Sequence, residues 1–117
     1  MPRPVLDETQ LHPAIRDVVA TNRRDIVDEV MAAIAQHDLV VVGMALNPYP
    51  RKARALLKAK GIPFHYLSYG SYLSEWRRRN ALKMWTGWPT FPMVFHKGIF
   101  IGGYNDLAKL VATGEIA

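Results

Sequence analysis

The sequence predicts an α/β fold in which a four-stranded mixed sheet has helices on both faces. Residues 39–44 form an apolar run that is typical of a buried central strand. Helical periodicity precedes and follows this run, and two short apolar runs flank Lys97-Gly98, a dipeptide that favours a hairpin turn. Strands joined through a helix pair in parallel, whereas a hairpin adds an antiparallel pair, so the sheet should be mixed.

The composition is that of one globular domain. The chain has 117 residues, of which 50% are hydrophobic and 21% are charged. Its apolar runs are far shorter than the ~20 residues that span a bilayer, so we expect no membrane segment and a cytoplasmic location. The net charge of +5 favours anionic partners in general. The absence of cysteine excludes disulfides, thiolate catalysis and Cys-ligated metals, and the four histidines show no metal-ligand spacing.

The N-terminal part of the chain predicts two helices before the first strand. We assign residues 1–22 to an N-terminal helical extension and residues 23–117 to the main domain. Pro13 suits the first turn of a short helix in the extension, because its missing N–H costs nothing there. Thr21 or Asn22 is the predicted N-cap of the next helix, in which apolar residues recur every four positions.

Residues 47–50, Asn-Pro-Tyr-Pro, separate the first strand from the helix that follows. Asn47 has a side chain that caps helices well, and Pro48 suits the first helical position. Gly61 is the predicted end of this helix. Residues 64–67 then predict a second strand, so that a strand, a tight turn, a helix and a strand follow one another.

Residues 69–88 are rich in aromatic and basic side chains, and we predict a helix over residues 71–86 with Gly87 at its end. The aromatic members are Tyr69, Tyr72, Trp76, Trp85 and Trp88. Such residues anchor protein interfaces, but core packing explains at least half of them. Candidates for contact with a partner are Trp76, Arg77, Arg78 and Arg79. One arginine triplet is not a nucleic-acid signature, and such triplets on helices are usually only solvated.

The C-terminal part predicts a hairpin followed by a helix. Residues 93–96 and 99–101 are the predicted strands, and residues 105–112 the final helix. Gly102-Gly103 lies between them and predicts a positive φ angle or a close approach of two main chains.

Taken together, these segments resemble the glutaredoxin family of the thioredoxin fold. Residues 47–50 stand at the position of the family's Cys-Pro-Tyr-Cys, and Thr90-Phe91-Pro92 at that of its Thr-Val-Pro. Further matches are the Gly102-Gly103 pair and Asp106-Leu107. The resemblance covers about residues 23–116.

The resemblance implies a thioredoxin-like (glutaredoxin) fold, a cis peptide before Pro92, and a groove in which the main chain of Phe91 meets glutathione or a peptide. The residues that it places at this groove are Asn47, Tyr49, Trp88, Thr90, Phe91, Pro92, Gly103, Tyr104 and Asn105.

Departures from the family pattern predict that its thiol chemistry is absent. Asn47 and Pro50 replace both cysteines, so thiol–disulfide exchange by the chain's own side chains is chemically impossible, and cluster ligation loses its protein thiolate. Met44 stands where the family often has a lysine, and Asn105 where an aspartate usually follows. Trp88-Pro89 replaces a polar or basic residue. Glutathione binding therefore has weaker side-chain support.

We expect a redox-inactive glutaredoxin-like protein, a binding or regulatory module for a peptide or glutathione-like ligand in the vestigial groove. The N-terminus of the helix after Asn47 should also favour an anion. The expected partner is an unknown protein or a peptide-like ligand, not a membrane or nucleic acid. Glutathione is the one candidate cofactor, and no metal is assigned.

Two alternatives stay open. One is a non-redox, glutathione-dependent transferase-like enzyme, in which bound glutathione is the nucleophile and Asn47 or Tyr49 stabilises its thiolate. The other is a domain that only binds proteins, through the aromatic and basic residues 69–88.

Overall fold

The structure is a computed structural model that describes residues 3–71 and 74–117. Its elements confirm the predicted class and the predicted order of helices and strands. In chain order they are a 3₁₀ helix (Glu8–Gln10), α1 (Pro13–Thr21), α2 (Arg24–Gln36), β1 (Leu39–Gly43), α3 (Pro48–Ala59), β2 (His65–Ser68), α4 (Trp76–Thr86), β3 (Met93–His96), β4 (Ile99–Gly102) and α5 (Tyr104–Ala112). Among the described residues, no helix is both long and apolar enough to cross a bilayer.

The four strands form one mixed sheet in the order β2-β1-β3-β4. β1 pairs in parallel with β2 and antiparallel with β3, and β3 pairs antiparallel with β4. The hairpin turn between β3 and β4 has φ values of 50° at Lys97 and 82° at Gly98. Two positive φ angles match the right-handed twist of paired strands, which confirms the hairpin predicted from this dipeptide.

The core has two layers because side chains of β1 alternate between the two faces of the sheet. Val40 and Val42 pack with residues of α2 and α4 on one face. Val41 packs with residues of α3 and α5 on the other. The helices cover both faces of the sheet, as predicted. All five residues of β1 are therefore buried.

The start of α2 differs from its prediction. Arg23 is the N-cap, with φ 49° and ψ 36°, and its side chain makes no capping bond. Thr21 instead belongs to α1, where its hydroxyl donates to the carbonyl of Asp17 at 2.6 Å. Asn22 is the C-cap of α1. The chain therefore turns at Arg23, and the predicted N-cap at Thr21 or Asn22 is wrong.

The start of α4 also differs from its prediction, since the helix begins at Trp76 and not at residue 71. The N–H of Ser74 donates to the carbonyl of Ser71 at 3.2 Å, and the chain turns at Ser74. Glu75 follows with a φ of 56°, which interrupts helical geometry. Tyr72 and Leu73, which the prediction included, lie outside the described residues.

Arg79 corrects the assignment of the arginine triplet to a partner surface. Its side chain is only 6% exposed. One guanidinium nitrogen donates to the carbonyl oxygen of Tyr69 at 3.0 Å and also to that of Ser74. Arg79 therefore holds the turn before α4 from inside the molecule. Trp76 and Arg77 remain exposed, as the prediction requires of contact residues.

Arg78 belongs to an ion cluster that joins α4 to α2. Its guanidinium lies 2.9 Å from a carboxylate oxygen of Glu75, 3.3 Å from one of Asp25 and 3.8 Å from one of Glu29. The hydroxyl of Tyr69 donates to the other oxygen of Glu29 at 2.7 Å. Burial raises the pKa of Tyr69 above its ordinary value of 10, and the bond to Glu29 raises it further.

Replacing Arg79 should destabilise the fold, whereas replacing its exposed neighbour should not. Arg79→Ala leaves two carbonyl oxygens without their donor, and we expect the free energy of unfolding to fall by about 2–3 kcal/mol. Arg77→Ala is the matched control and should change it by less than about 0.5 kcal/mol. Urea unfolding followed by circular dichroism measures both, and equal losses would contradict the role given to Arg79.

Tyr69 should make the fold sensitive to alkaline pH. Below pH 10 the phenol is protonated in the folded and the unfolded chain, so its contribution to stability is complete. As the pH rises past this value, the unfolded chain releases the proton first, and the free energy of unfolding falls. Tyr69→Phe should reduce this fall in urea titrations from about pH 8 to about pH 11. Tyr49→Phe, at a half-exposed tyrosine, is the control and should behave like the unmodified chain.

Candidate functional site

A groove of about 260 Å³ lies where the start of α3, the loop before β3 and the start of α5 meet. The structure places eight of the nine predicted groove residues around it. They are Tyr49, Trp88, Thr90, Phe91, Pro92, Gly103, Tyr104 and Asn105. Segments far apart in the chain thus meet because they lie at the same edge of the sheet.

Asp106 completes the lining of the groove and is absent from the predicted set. Its carboxylate accepts a hydrogen bond from the N–H of Gly103 at 3.0 Å. An acidic residue in the first turn of a helix, three positions after a glycine that begins it, is the sequence signal that could have identified this residue.

Phe91 gives the groove an unused pair of main-chain hydrogen-bonding groups. The Phe91–Pro92 peptide is cis, as the resemblance implied. The aromatic ring of Phe91 is buried in the core, so only its main chain is available to a ligand. Within residues 3–71 and 74–117, the N–H and the C=O of Phe91 have no hydrogen-bond partner.

Trp88 lines one side of the groove, and its ring also packs against the core. Its ring meets Phe100 edge to face, with ring centroids 5.5 Å apart. The indole Nε1 is buried and has no hydrogen-bond partner among the described residues. A Cβ at Gly103 would lie 3.6 Å from this nitrogen and 3.5 Å from the carbonyl oxygen of Pro92. Both distances are ordinary contacts; the position that requires a glycine is Gly102, whose φ is 109° and where a Cβ would collide with the carboxylate of Asp106.

Tyr49 and Tyr104 form the opposite, aromatic wall. Their ring centroids are 6.4 Å apart, and Tyr49 is 50% exposed. The ammonium nitrogen of Lys52 lies 5.0 Å from the centroid of the Tyr49 ring. Tyr104 is partly buried and packs against the core layer beneath α3 and α5. The exposed ring of Tyr49 and the partly buried ring of Tyr104 therefore lie side by side at the groove.

Asn47 does not line the groove but caps α3. Its side-chain oxygen accepts from the N–H of Tyr49 at 3.0 Å. Pro48 and Pro50 have no N–H, so every main-chain donor in the first three residues of α3 is either absent or used. An anion at this helix end would meet the dipole but no free N–H. The expected attraction for an anion there would therefore come from the helix dipole and the nearby cations, without a main-chain hydrogen bond.

Pro50, at the position of the family's second cysteine, has a packing role. It is fully buried. A Cβ at Gly43 would lie 2.7 Å from the Cβ of Pro50 and 2.7 Å from the hydroxyl oxygen of Tyr66. The first turn of α3 thus rests directly on the end of β1, and Pro50 presents no polar atom to the groove.

The other predicted contact residues do not reach the groove. Trp76 and Arg77 line a separate shallow depression with Asn80 and Lys83. His37 and His65 stack with their ring centroids 4.2 Å apart, also outside the groove. Within the described ranges, no three histidine, aspartate or glutamate side chains cluster in a way that could hold a metal ion.

Comparison with known proteins identifies the family. The Glutaredoxin family model matches residues 47–101. A glutaredoxin-like protein of Dictyostelium discoideum is 41% identical over 102 residues, which are 87% of this chain and 83% of that one. The chain belongs to the glutaredoxin family.

Other glutaredoxins share less with this chain. Monothiol glutaredoxin-4 of Schizosaccharomyces pombe is 29% identical over 68 residues, which are 58% of this chain but only 27% of that longer protein. The crystal structure of a buckwheat glutaredoxin–glutathione complex superimposes with a TM-score of 0.69 at 21% identity, over 82% of this chain and 87% of that one. This likeness confirms the thioredoxin-like glutaredoxin fold.

Removing the cap of α3 should weaken the glutaredoxin fold locally. Asn47→Ala deletes the oxygen that accepts from Tyr49, and we expect the free energy of unfolding to fall by about 1 kcal/mol. Asn47→Asp retains an acceptor and should stay within about 0.5 kcal/mol of the unmodified chain. Urea unfolding compares the three proteins, and an equal loss in both variants would show that the cap is not what Asn47 contributes.

Proposed function

We propose that this glutaredoxin-family chain is a binding module without thiol redox chemistry of its own, and that it holds an extended, peptide-like ligand in the groove. The observation that carries the proposal is the main chain of Phe91. Phe91 borders an open groove. Among the described residues, its N–H donates no hydrogen bond and its C=O accepts none. Buried or half-buried main-chain groups are nearly always paired in folded proteins, so such a pair suits a ligand.

An extended peptide supplies the matching groups. Each residue of such a peptide carries an N–H and a C=O, and two residues that exchange both bonds form the unit of an antiparallel ladder. Peptides are recognised in this way where a main chain is exposed at the edge of a fold. The volume of about 260 Å³ accommodates a few residues at most, so the ligand is a short peptide or a short segment of a protein.

Side chains around the groove support a ligand of this kind. Tyr49 and Trp88 offer aromatic surface on opposite sides, and aromatic walls favour the apolar parts of a peptide. Arg51 and Lys52 lie exposed in the first turns of α3 and would attract a carboxylate. Glutathione, a tripeptide with two carboxylates, is the first probe, since a buckwheat glutaredoxin of similar fold has been solved in complex with it.

The structure gives the transferase alternative less support than binding alone. A thiolate of bound glutathione needs hydrogen-bond donors near the start of α3. Pro48 and Pro50 supply none, and the N–H of Tyr49 is already used by Asn47. For the alternative of a purely protein-binding surface at residues 69–88, two of the four candidate contact residues, Trp76 and Arg77, are exposed, whereas Arg78 and Arg79 are engaged within the fold.

Two-dimensional NMR of labelled protein, titrated with reduced and with oxidised glutathione, tests the proposal. We expect shifts confined to amides around Tyr49, Phe91 and Gly103, because these residues border the groove. No shifts at millimolar glutathione or at millimolar concentrations of short peptides would overturn it.

A pair of tyrosine and tryptophan variants locates the binding. Tyr49 and Trp76 are similarly exposed, at 50% and 53%, but only Tyr49 lines the groove. Tyr49→Ala should weaken glutathione binding about threefold to tenfold, since it removes one aromatic wall. Trp76→Ala should leave the dissociation constant unchanged. The reverse pattern in the same titration would place the ligand on α4 instead.

A further inference from the structure

The whole net charge of the chain lies on or directly beside α3. Five of the 15 cationic side chains fall between residues 51 and 60, and no aspartate or glutamate occurs between Asp38 and Glu75. The other ten cations are matched in number by the ten carboxylates of the chain, so the remainder of the molecule is neutral. Residues 51–60 therefore carry five positive charges and no negative one, while the four cations of α4 are balanced by carboxylates elsewhere in the chain.

These charges are not neutralised within the fold. Among the described residues, each ion pair involves Arg24 or Arg78, which lie on α2 and α4. Arg54 lies over the ring of Tyr66, with its guanidinium carbon 4.2 Å from the ring centroid. The other four cations are exposed to solvent. We call these four the α3 cationic face: Arg51, Lys52, Lys58 and Lys60.

The shape of this face suits an elongated partner. Arg51 and Lys60 are separated by about 13 Å along the helix axis, at a rise of about 1.5 Å per residue. Ala55 and Ala59 are the exposed residues between the cations, and their small side chains leave the helix surface flat. Arg51 and Lys52 also oppose the helix dipole in the first turns, and an anion laid across them would reverse that repulsion.

We propose that the α3 cationic face docks an acidic segment of a protein partner. Carboxylates spaced along a polypeptide match cations spaced along a helix, and complementary charge of this kind sets the orientation and the rate of association. None of the four cations lines the groove, and Lys58 and Lys60 lie at the opposite end of α3 from Tyr49, so this inference stands whether or not the groove binds a ligand.

Three observations favour an acidic polypeptide over other polyanions. Single-stranded nucleic acid stacks its bases on free aromatic rings, but Tyr66 beside this face is covered by Arg54, and the exposed ring of Tyr49 lies at the groove. A membrane-binding helix needs large apolar side chains to insert, and here the intervening residues are alanines. A phosphate group that binds at a helix N-terminus uses free main-chain N–H groups, and the start of α3 has none in its first three residues.

A charge-matched pair of triple variants tests the proposal on the full chain. The first variant combines Arg51→Gln, Lys58→Gln and Lys60→Gln. The control combines Arg77→Gln, Lys97→Gln and Lys109→Gln, which lowers the net charge equally at exposed positions outside α3. Glutamine forms helices about as well as lysine and arginine, and Lys97 is an exposed residue of the β3–β4 turn, so both variants should fold. Circular dichroism checks this point.

The probe is a fluorescent peptide of alternating glutamate and glycine, and its anisotropy is read at near-physiological salt. We expect the α3 variant to bind about tenfold more weakly and the control to change less than about twofold. On the unmodified chain, the peptide should shift NMR signals of residues 51–60. This measurement does not depend on the folding of any variant. An equal loss in both variants would show that net charge alone attracts the peptide and would overturn the proposal.

Two further probes separate the partner classes. A single-stranded oligonucleotide of equal charge and vesicles of phosphatidylserine with phosphatidylcholine are compared with the peptide on the unmodified chain. The acidic peptide should bind more tightly than either. Tighter binding of the oligonucleotide or of the vesicles would overturn the assignment to a protein partner.

Discussion

Pro50 packs directly on Gly43, and the position of α3 on the sheet depends on this contact. No side chain larger than hydrogen fits at Gly43, because the ring of Pro50 and the hydroxyl of Tyr66 occupy the space. The first turn of α3 is thereby pressed onto the end of β1. Tyr49 is held beside the groove by the same contact, and Asn47 closes the helix in front of it.

The residues that replace the two cysteines of the family serve this packing. Asn47 satisfies a helix donor, and Pro50 fills the space above β1. The turn that carries two cysteines in the family pattern is here a capped helix start without a thiol. The cis peptide before Pro92, which the family resemblance implied, is present at the groove. In the function that we propose, the groove holds the ligand, while Asn47 and Pro50 carry no thiol.

Local chemistry explains which features could be predicted from the sequence. The cap at Asn47 and the hairpin at Lys97-Gly98 depend on neighbouring residues, and the structure has both. Eight groove residues followed from a family resemblance that spans several segments. The burial of Arg79 depends on the distant carbonyl of Tyr69, and the late start of α4 on the turn that Arg79 holds. Such long-range contacts leave no periodic signal in the sequence.

The charge distribution makes the molecule an electric dipole. α3 lies on one face of the sheet and carries the entire net charge, whereas α2 and α4, where cations and carboxylates pair, cover the other face. A body of this kind turns in the field of an anion before the two surfaces touch. An acidic molecule that diffuses toward this glutaredoxin would therefore meet α3 first. Because Tyr49 lies in the first turn of α3, the same rotation brings the groove toward this acidic molecule.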